Sequence, residues 1–408
     1  MKPQLPRRWC LVWIVLPAVV AGLRTPAEAV GAETQPGIAV DAAFPGGNIV
    51  LEKLAGDTVF LHQDLRDTAG DWFYWCFRVR GAAGRTLTFK FTGTSVLGVR
   101  GPSVSTDEGK TWSGLGAAAV KSNSFRYTFP DRPEEVRFAF AIPYTESHLK
   151  EFLTRHREDR TLRVETLCRT AKGRPVELLL LGPPGTAPDA RVLLTARHHA
   201  CESLASYVLE GLLETVLADA DDGAWLRRHV EFMAVPFMDK DGVEDGDQGK
   251  NRKPHDHNRD YVQKLYPSVR ALTQRVPAWS AGKLRIALDL HCPWIRGPHN
   301  DVIYFVGSRD AENWRRTTDL ATILQSACRG PIPYHVSDNL PFGQAWNTGA
   351  GDPKLAMCSD WTAGLPGVRV GASMEIPFAT ASGSEVTAHS ARAFGRDLAR
   401  AIRRYLER

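Results

Sequence analysis

Apolar and polar positions follow two different rhythms along the chain. Between about residues 47 and 150 they alternate with a period of two, as in Phe73-Tyr74-Trp75-Cys76-Phe77-Arg78-Val79, Leu87-Thr88-Phe89-Lys90-Phe91 and Val136-Arg137-Phe138-Ala139-Phe140. Successive side chains of a strand point to opposite faces, so each run predicts a strand with one buried face. Gly-rich turns separate the runs and long helical patterns are absent. This part is expected to be an antiparallel β-sandwich with Trp75, Phe77, Phe89 and Phe138 turned inward.

From Thr161 onward the pattern changes to compact apolar runs: residues 176–181, 192–194, 230–235, 286–288 and 302–306. Helical periodicity lies between them, as over residues 204–217, and the chain ends in it, over 390–406. Strands that read as continuous apolar runs are buried on both faces, which predicts an α/β/α sandwich around a largely buried sheet. The charged stretch 155–160 reads as a solvated helix end or linker. The expected organisation is a leader over residues 1–29, a sandwich domain over 30–155 and an α/β domain over 156–408. A length of 408 residues agrees with two cores rather than one.

Composition adds little to this, since 43% hydrophobic and 24% charged residues are ordinary for a globular protein. The leader changes more. Residues 1–29 carry Lys2, Arg7, Arg8 and Arg24 against Glu28, an apolar run over 10–22 and Ala27-Glu28-Ala29 as a small-x-small site. That is the pattern of a secretory signal peptide, so an exported protein, periplasmic or secreted, is expected, with no membrane span once the leader is removed. Removing its net +3 from the formal +5 leaves 5 − 3 = +2, and no nucleic-acid partner is expected. The six remaining cysteines are spread without framework spacing and read mainly as buried packing residues. One segment, Ser105-Thr106-Asp107-Glu108-Gly109-Lys110-Thr111-Trp112, resembles the Asp-box turn of sialidase propellers. It occurs once, without a blade repeat, so a tight turn at Asp107 and Gly109 with a packed Trp112 is expected instead.

Candidate chemistry centres on Thr195-Ala196-Arg197-His198-His199-Ala200-Cys201-Glu202, which follows an apolar run and precedes a helical pattern. At a strand-to-helix turn His199 and Glu202, three residues apart, can reach one metal ion. An open catalytic zinc site needs a third protein ligand and a free position for water. His291, at the end of residues 284–291, is the candidate, because α/β folds place their chemistry at the carboxyl ends of strands. Glu375 lies in a further strand-like run, 368–378.

Downstream of the turn lie Asp239-Lys240-Asp241-Gly242-Val243, Asn251-Arg252 and Asp256-His257-Asn258-Arg259, then His291 and Glu375. In this order the set resembles the zinc metallocarboxypeptidase superfamily, and most closely its cytosolic carboxypeptidase-like branch, over about residues 70–400. Ile142-Pro143-Tyr144-Thr145 resembles the junction where that branch joins its sandwich to the catalytic domain. The resemblance implies a mixed sheet and a Zn2+ cofactor held by His199, Glu202 and His291. Further, it implies that Asp256 orients the first histidine, Glu375 acts as general base and Arg252 stabilises the oxyanion. Asn258 and Arg259 would grip the free carboxylate of a peptide or protein C-terminus. His-Ala-Cys-Glu stands where the family has His-Pro-Gly-Glu, and Asp-His-Asn-Arg where it has Asp-Leu-Asn-Arg. No tyrosine is placed opposite the family's late active-site tyrosine. Asp360 and Lys354 lie in the loop region where the family carries specificity residues. His198, His255 and His257 are additional histidines nearby. An amidohydrolase of the aspartoacylase and succinylglutamate desuccinylase type shares part of the pattern. A peptidoglycan-peptide hydrolase and a non-enzymatic binding protein on the same fold are also compatible with it. The sandwich and its junction fit the peptidase branch better.

Overall fold

A computed structural model describes residues 37–182, 187–297, 299–349 and 355–408. The expected leader, residues 1–29, lies outside them. The alternating segment folds into two five-stranded sheets. One runs Ala39–Asp41, Cys76–Arg80, Glu135–Ala139, Ser103–Ser105, Ser113–Gly114, antiparallel throughout. The other runs Val50–Ala55, Thr58–His62, Thr86–Phe91, Ser124–Thr128, Val120–Lys121 and contains one parallel pair, Thr58–His62 with Thr86–Phe91. Trp75, Phe77, Phe89 and Phe138 are all buried between the sheets. Phe89 and Phe125 stack there at 4.8 Å between ring centroids, a geometry that adds to the area buried.

The single Asp-box-like segment is a turn. Asp107 accepts from the Thr111 backbone at 2.9 Å and its hydroxyl at 2.5 Å, Gly109 takes φ +89°, and Trp112 donates back to the Gly109 carbonyl.

Beyond the helix Glu146–Arg155 a seven-stranded mixed sheet runs in the order Leu162–Arg169, Pro175–Leu181, Val230–Val235, Ala190–Ala196, Leu284–His291, Val370–Glu375, Tyr304–Phe305. The four strands from Val230–Val235 to Val370–Glu375 are parallel to their neighbours, and the outer pairings are antiparallel. Of the apolar run 302–306 only Tyr304–Phe305 forms a strand. Separate apolar clusters cover the two faces. One includes the helices Ser203–Leu217, Ala311–Ala327 and Ala388–Leu406, the other Pro267–Ser280. With both faces covered, the inner strands have no solvated side, hence their largely apolar sequence. Parallel pairing also brings their carboxyl ends to one edge, where His291 and Glu375 are register partners.

The helix Ser203–Leu217 starts directly after Glu202 and crosses Ala388–Leu406 through two glycines. A β-carbon on Gly211 would stand 2.1 Å from the Arg392 carbonyl oxygen, and one on Gly395 2.1 Å from that of Val208. Backbone meets backbone there, so nothing can move aside. Gly395→Val is therefore expected to destabilise the fold by about 1–3 kcal/mol or more, the range for overpacking a closed interface. Urea unfolding with an unchanged midpoint would show that the helices can separate at no cost.

Candidate metal centre and cleft

The turn after Ala190–Ala196 holds Arg197 at φ +61°, a left-handed conformation uncommon for a residue with a β-carbon. Its own buried guanidinium closes the turn. It donates to the Ala200 carbonyl, to the Tyr144 carbonyl at 2.8 Å and to Ser206 Oγ at 3.1 Å. The turn is thereby tied both to the helix it starts and to the junction with the sandwich.

Within it, His199 Nδ1 lies 2.9 Å from Glu202 Oε1. His291 Nδ1 lies 2.8 Å from Glu202 Oε2 and 3.2 Å from His199 Nδ1. All three side chains are buried. On the far side of each ring Nε2 faces a carboxylate, Asp289 at 2.6 Å from His291 and Asp256 at 3.6 Å from His199. Such partners keep the ring proton on Nε2 and turn the Nδ1 lone pair inward. Two lone pairs and a carboxylate aimed at one point repel one another unless a cation lies between them. Nitrogen and oxygen donors of this kind suit zinc.

Asp289 is shared. Its oxygens also accept from Thr195 Oγ1 at 2.8 Å and face His198 Nδ1 at 2.8 Å. His198 Nε2 in turn meets the Tyr261 hydroxyl at 2.8 Å. His198, Asp289 and Cys358 also lie close enough together to share an ion. Both His198 nitrogens already have partners, so this group supports the first one from behind. Burial alone would raise the carboxyl pKa values of Asp289 and Asp256. The adjoining histidines, with Arg259 near Asp256, hold both well below the ordinary range.

Glu375 sits beside His291 on the neighbouring strand, with Oε2 buried and without a hydrogen-bond partner. Burial, with the Glu202 charge, pushes its carboxyl up against the opposing pull of His291 and Lys250. Tyr304, its other register neighbour, is fully buried. Asn258 accepts from the Cys358 backbone at 3.0 Å and places its amide nitrogen 3.4 Å from His291 Nε2. Arg259 opens onto a cleft of about 850 Å³ shared with Phe342, Trp346, Met357 and Asp360, and its Nη1 is buried with no partner. Lys354 lies outside the described residues.

Arg252 does not join this group. Its guanidinium is taken up by three carboxylates, Asp67 at 2.9 Å, Asp239 at 2.5 Å and Asp247 at 2.8 Å. The oxyanion role expected of it conflicts with that engagement. The cation that does reach the group is Lys250, whose Nζ lies 3.0 Å from Glu202 Oε1 and 5.0 Å from the centre of the Trp72 ring. His255 pairs with Asp260, and His257 stacks on Tyr266, away from the group. Cys201 and Cys292 are free and buried beside it, and burial pushes the Cys201 thiol up to about 12. Sequence reading missed Asp289, Lys250 and Trp72. Asp289 carried a signal, since it stands two residues before His291 on one strand and so shares its face. Lys250 lies in an irregular loop where no periodicity marks a side chain's direction.

A family model described as zinc carboxypeptidase matches residues 146–279. Cytosolic carboxypeptidase 3 of Mus musculus is 32% identical over 158 residues, which is 36% of this chain and 16% of that protein. Cytosolic carboxypeptidase 2 of Danio rerio is 26% identical over 274 residues, 58% of this chain and 38% of that protein. The chain thus spans well under half the length of these relatives. Among solved structures, a metallo-carboxypeptidase from Burkholderia cenocepacia shares the fold with a TM-score of 0.74 at 21% identity, covering 91% of this chain and 99% of its own. One from Pseudomonas aeruginosa, solved with (2-guanidinoethylmercapto)succinic acid, also gives 0.74 at 18% identity over 90% and 99%. These relatives correct the expectation of export. Curated proteins similar to this chain are named cytosolic, and the secretory reading rested on the composition of residues 1–29 alone. Residues 146–279 thus match the zinc carboxypeptidase family, the similar curated proteins are cytosolic carboxypeptidases, and a carboxypeptidase-like fold runs along nine-tenths of the chain.

Proposed function

We propose that the protein is a zinc-dependent metallocarboxypeptidase that removes the terminal residue from peptides or protein tails, with its catalytic domain beginning near residue 156. The observation that carries this reading is the inward-facing group of His199 Nδ1, His291 Nδ1 and the two Glu202 oxygens, set beside an unpartnered Glu375 carboxylate. His199, Glu202 and His291 would hold the ion, with Asp256 and Asp289 fixing the ring tautomers. Zinc bound there supplies a Lewis acid and lowers the pKa of water toward neutrality.

Glu375 takes a proton from the attacking water and returns one to the departing amine as the C–N bond breaks. One water is consumed, and a carboxylate and an amine are released. A base held above its ordinary pKa suits both transfers. Arg259, which lines the cleft and has one buried donor without a partner, would grip the free carboxylate of the substrate, with Asn258 flanking it. That recognition would make the enzyme an exopeptidase.

Three outcomes are expected. Glu375→Gln keeps zinc, measured by elemental analysis, but loses at least about a hundredfold in turnover, whereas His199→Ala and His291→Ala lose the metal. Equal turnover in the glutamine variant would remove the base. Asp289→Asn weakens zinc binding by about 10–100-fold in competition with a chromophoric chelator, the usual effect of losing a carboxylate behind a metal-binding histidine. An unchanged zinc affinity would make Asp289 a packing residue only. Arg259→Ala costs about 2–5 kcal/mol in kcat/KM on peptides with a free C-terminus and little on amidated ones, which are poor substrates for wild type. If wild type cuts free and amidated peptides equally well, an endopeptidase or another amidohydrolase takes the place of this reading.

A further inference from the structure

Resting on that reading, we propose that Lys250, and not Arg252, is the catalytic cation that meets the developing negative charge on the carbonyl oxygen of the scissile peptide. The case against Arg252 is one of engagement. Its Nε, Nη1 and Nη2 each face a different carboxylate, and Asp239 is almost fully buried. Swinging the guanidinium toward the metal group would leave that carboxylate buried without its charge partner, which is strongly unfavourable. Arg252 therefore holds its loop together.

Lys250 stands where Arg252 does not. Its Nζ is 3.0 Å from a Glu202 oxygen, and its charge also acts on Glu375, so one ammonium serves both the group that would bind the ion and the free carboxylate. A scissile carbonyl attacked by a water that Glu375 deprotonates would lie within the field of this ammonium. An ammonium has three donors. Glu202 takes one, and the others are available to a substrate oxygen. The Lys250 side chain is 20% exposed, neither sealed in the core nor freely solvated.

The loop that carries Lys250 is built to keep it there. A β-carbon on Gly249 would come 2.2 Å from the Ala200 backbone nitrogen, so only glycine lets the loop lie against the ligand turn, and its φ is +76°. The Gln248 carbonyl accepts from the Cys201 backbone at 3.1 Å. Its side chain pairs twice with the Tyr74 backbone, at 2.7 and 2.9 Å. Above the ammonium lies the face of Trp72, a residue of the sandwich half. A desolvated cation over an indole gains from the ring quadrupole, which favours one position for an otherwise flexible side chain. A donor fixed before the reaction stabilises developing charge without reorganisation.

The test compares wild type, Lys250→Met and Lys250→Arg as zinc-loaded full-length proteins. Zinc content, kcat/KM on a peptide with a free C-terminus, and calorimetric affinities for a phosphonate peptide and for the product amino acid are measured. The phosphonate mimics the tetrahedral geometry and charge, whereas the product tests the Arg259 grip. Lys250→Met is expected to keep its zinc, to lose about a hundredfold or more in kcat/KM and a comparable factor in phosphonate affinity, and to bind the product within about threefold of wild type. Lys250→Arg recovers part of both losses. Turnover and phosphonate binding within about threefold of wild type in Lys250→Met overturn the proposal. So does loss of zinc in that variant, which would make Lys250 a positioning residue for Glu202. A wild-type protein that holds no zinc and binds no phosphonate sinks the proposed function itself, and this inference with it.

Discussion

Two imidazole nitrogens 3.2 Å apart, each within 3 Å of an oxygen of one buried carboxylate, form an arrangement that needs a proton or a metal ion at its centre. Each ring has its other nitrogen against a carboxylate, so the protons belong outside and the lone pairs inside. Only a cation turns that repulsion into attraction. Much of the surrounding structure holds the donors in place for it. Arg197 ties the turn between His199 and the strand before it, parallel pairing sets His291 beside Glu375, and Asp289 joins the His291 ring to Thr195 and His198. A site organised this way is prepared before the ion arrives and need not be assembled by it.

The charges around the group are not evenly shared. Glu202, Glu375, Asp256 and Asp289 bring four carboxylates into one buried region, faced by Lys250, Arg259 and Arg197. The strain falls on the carboxylate with the fewest partners. Glu375 has an unpartnered oxygen, and burial with the Glu202 charge raises its pKa. Asp289 and Asp256 lie against histidines and move the other way. Two carboxylates of one site are thereby driven apart in pKa by their surroundings, and the raised one is suited to carrying a proton.

How much of this could be read from sequence depends on whether a residue sat on a regular element. Trp75, Phe77, Phe89 and Phe138 were legible as core because a strand's period of two leaves no other face for them. His291 was legible at the end of a sheet strand and Glu375 on another because each lies in a largely apolar run, but that the two are register partners was not. Arg252 and Lys250 are the counterexample. They are two residues apart in a loop of irregular conformation, and motif order alone favoured Arg252. What separates them is the set of partners brought from far along the chain, Asp67 and Asp239 for one, Glu202 and Trp72 for the other. No local pattern encodes those encounters. The parallel pair within the sandwich was illegible for a related reason, since alternation sets the buried face of a strand but not its direction relative to a neighbour.

The sandwich is part of the site's construction and not an appendage to it. Trp72 covers Lys250, and the Tyr74 backbone pairs with Gln248 in the loop before it. The Tyr144 carbonyl accepts a hydrogen bond from Arg197 in the ligand turn. Phe73 and Phe140 pack edge-on against Phe378, three residues beyond Glu375. Three segments that carry candidate site residues thus lean on the sandwich, each through groups buried at the contact. Loops are ordinarily the least constrained parts of an α/β fold, and positions needed to within a fraction of an ångström are poorly held by a loop alone. Packing a second rigid body against the loops at the carboxyl edge of the sheet supplies the missing constraint.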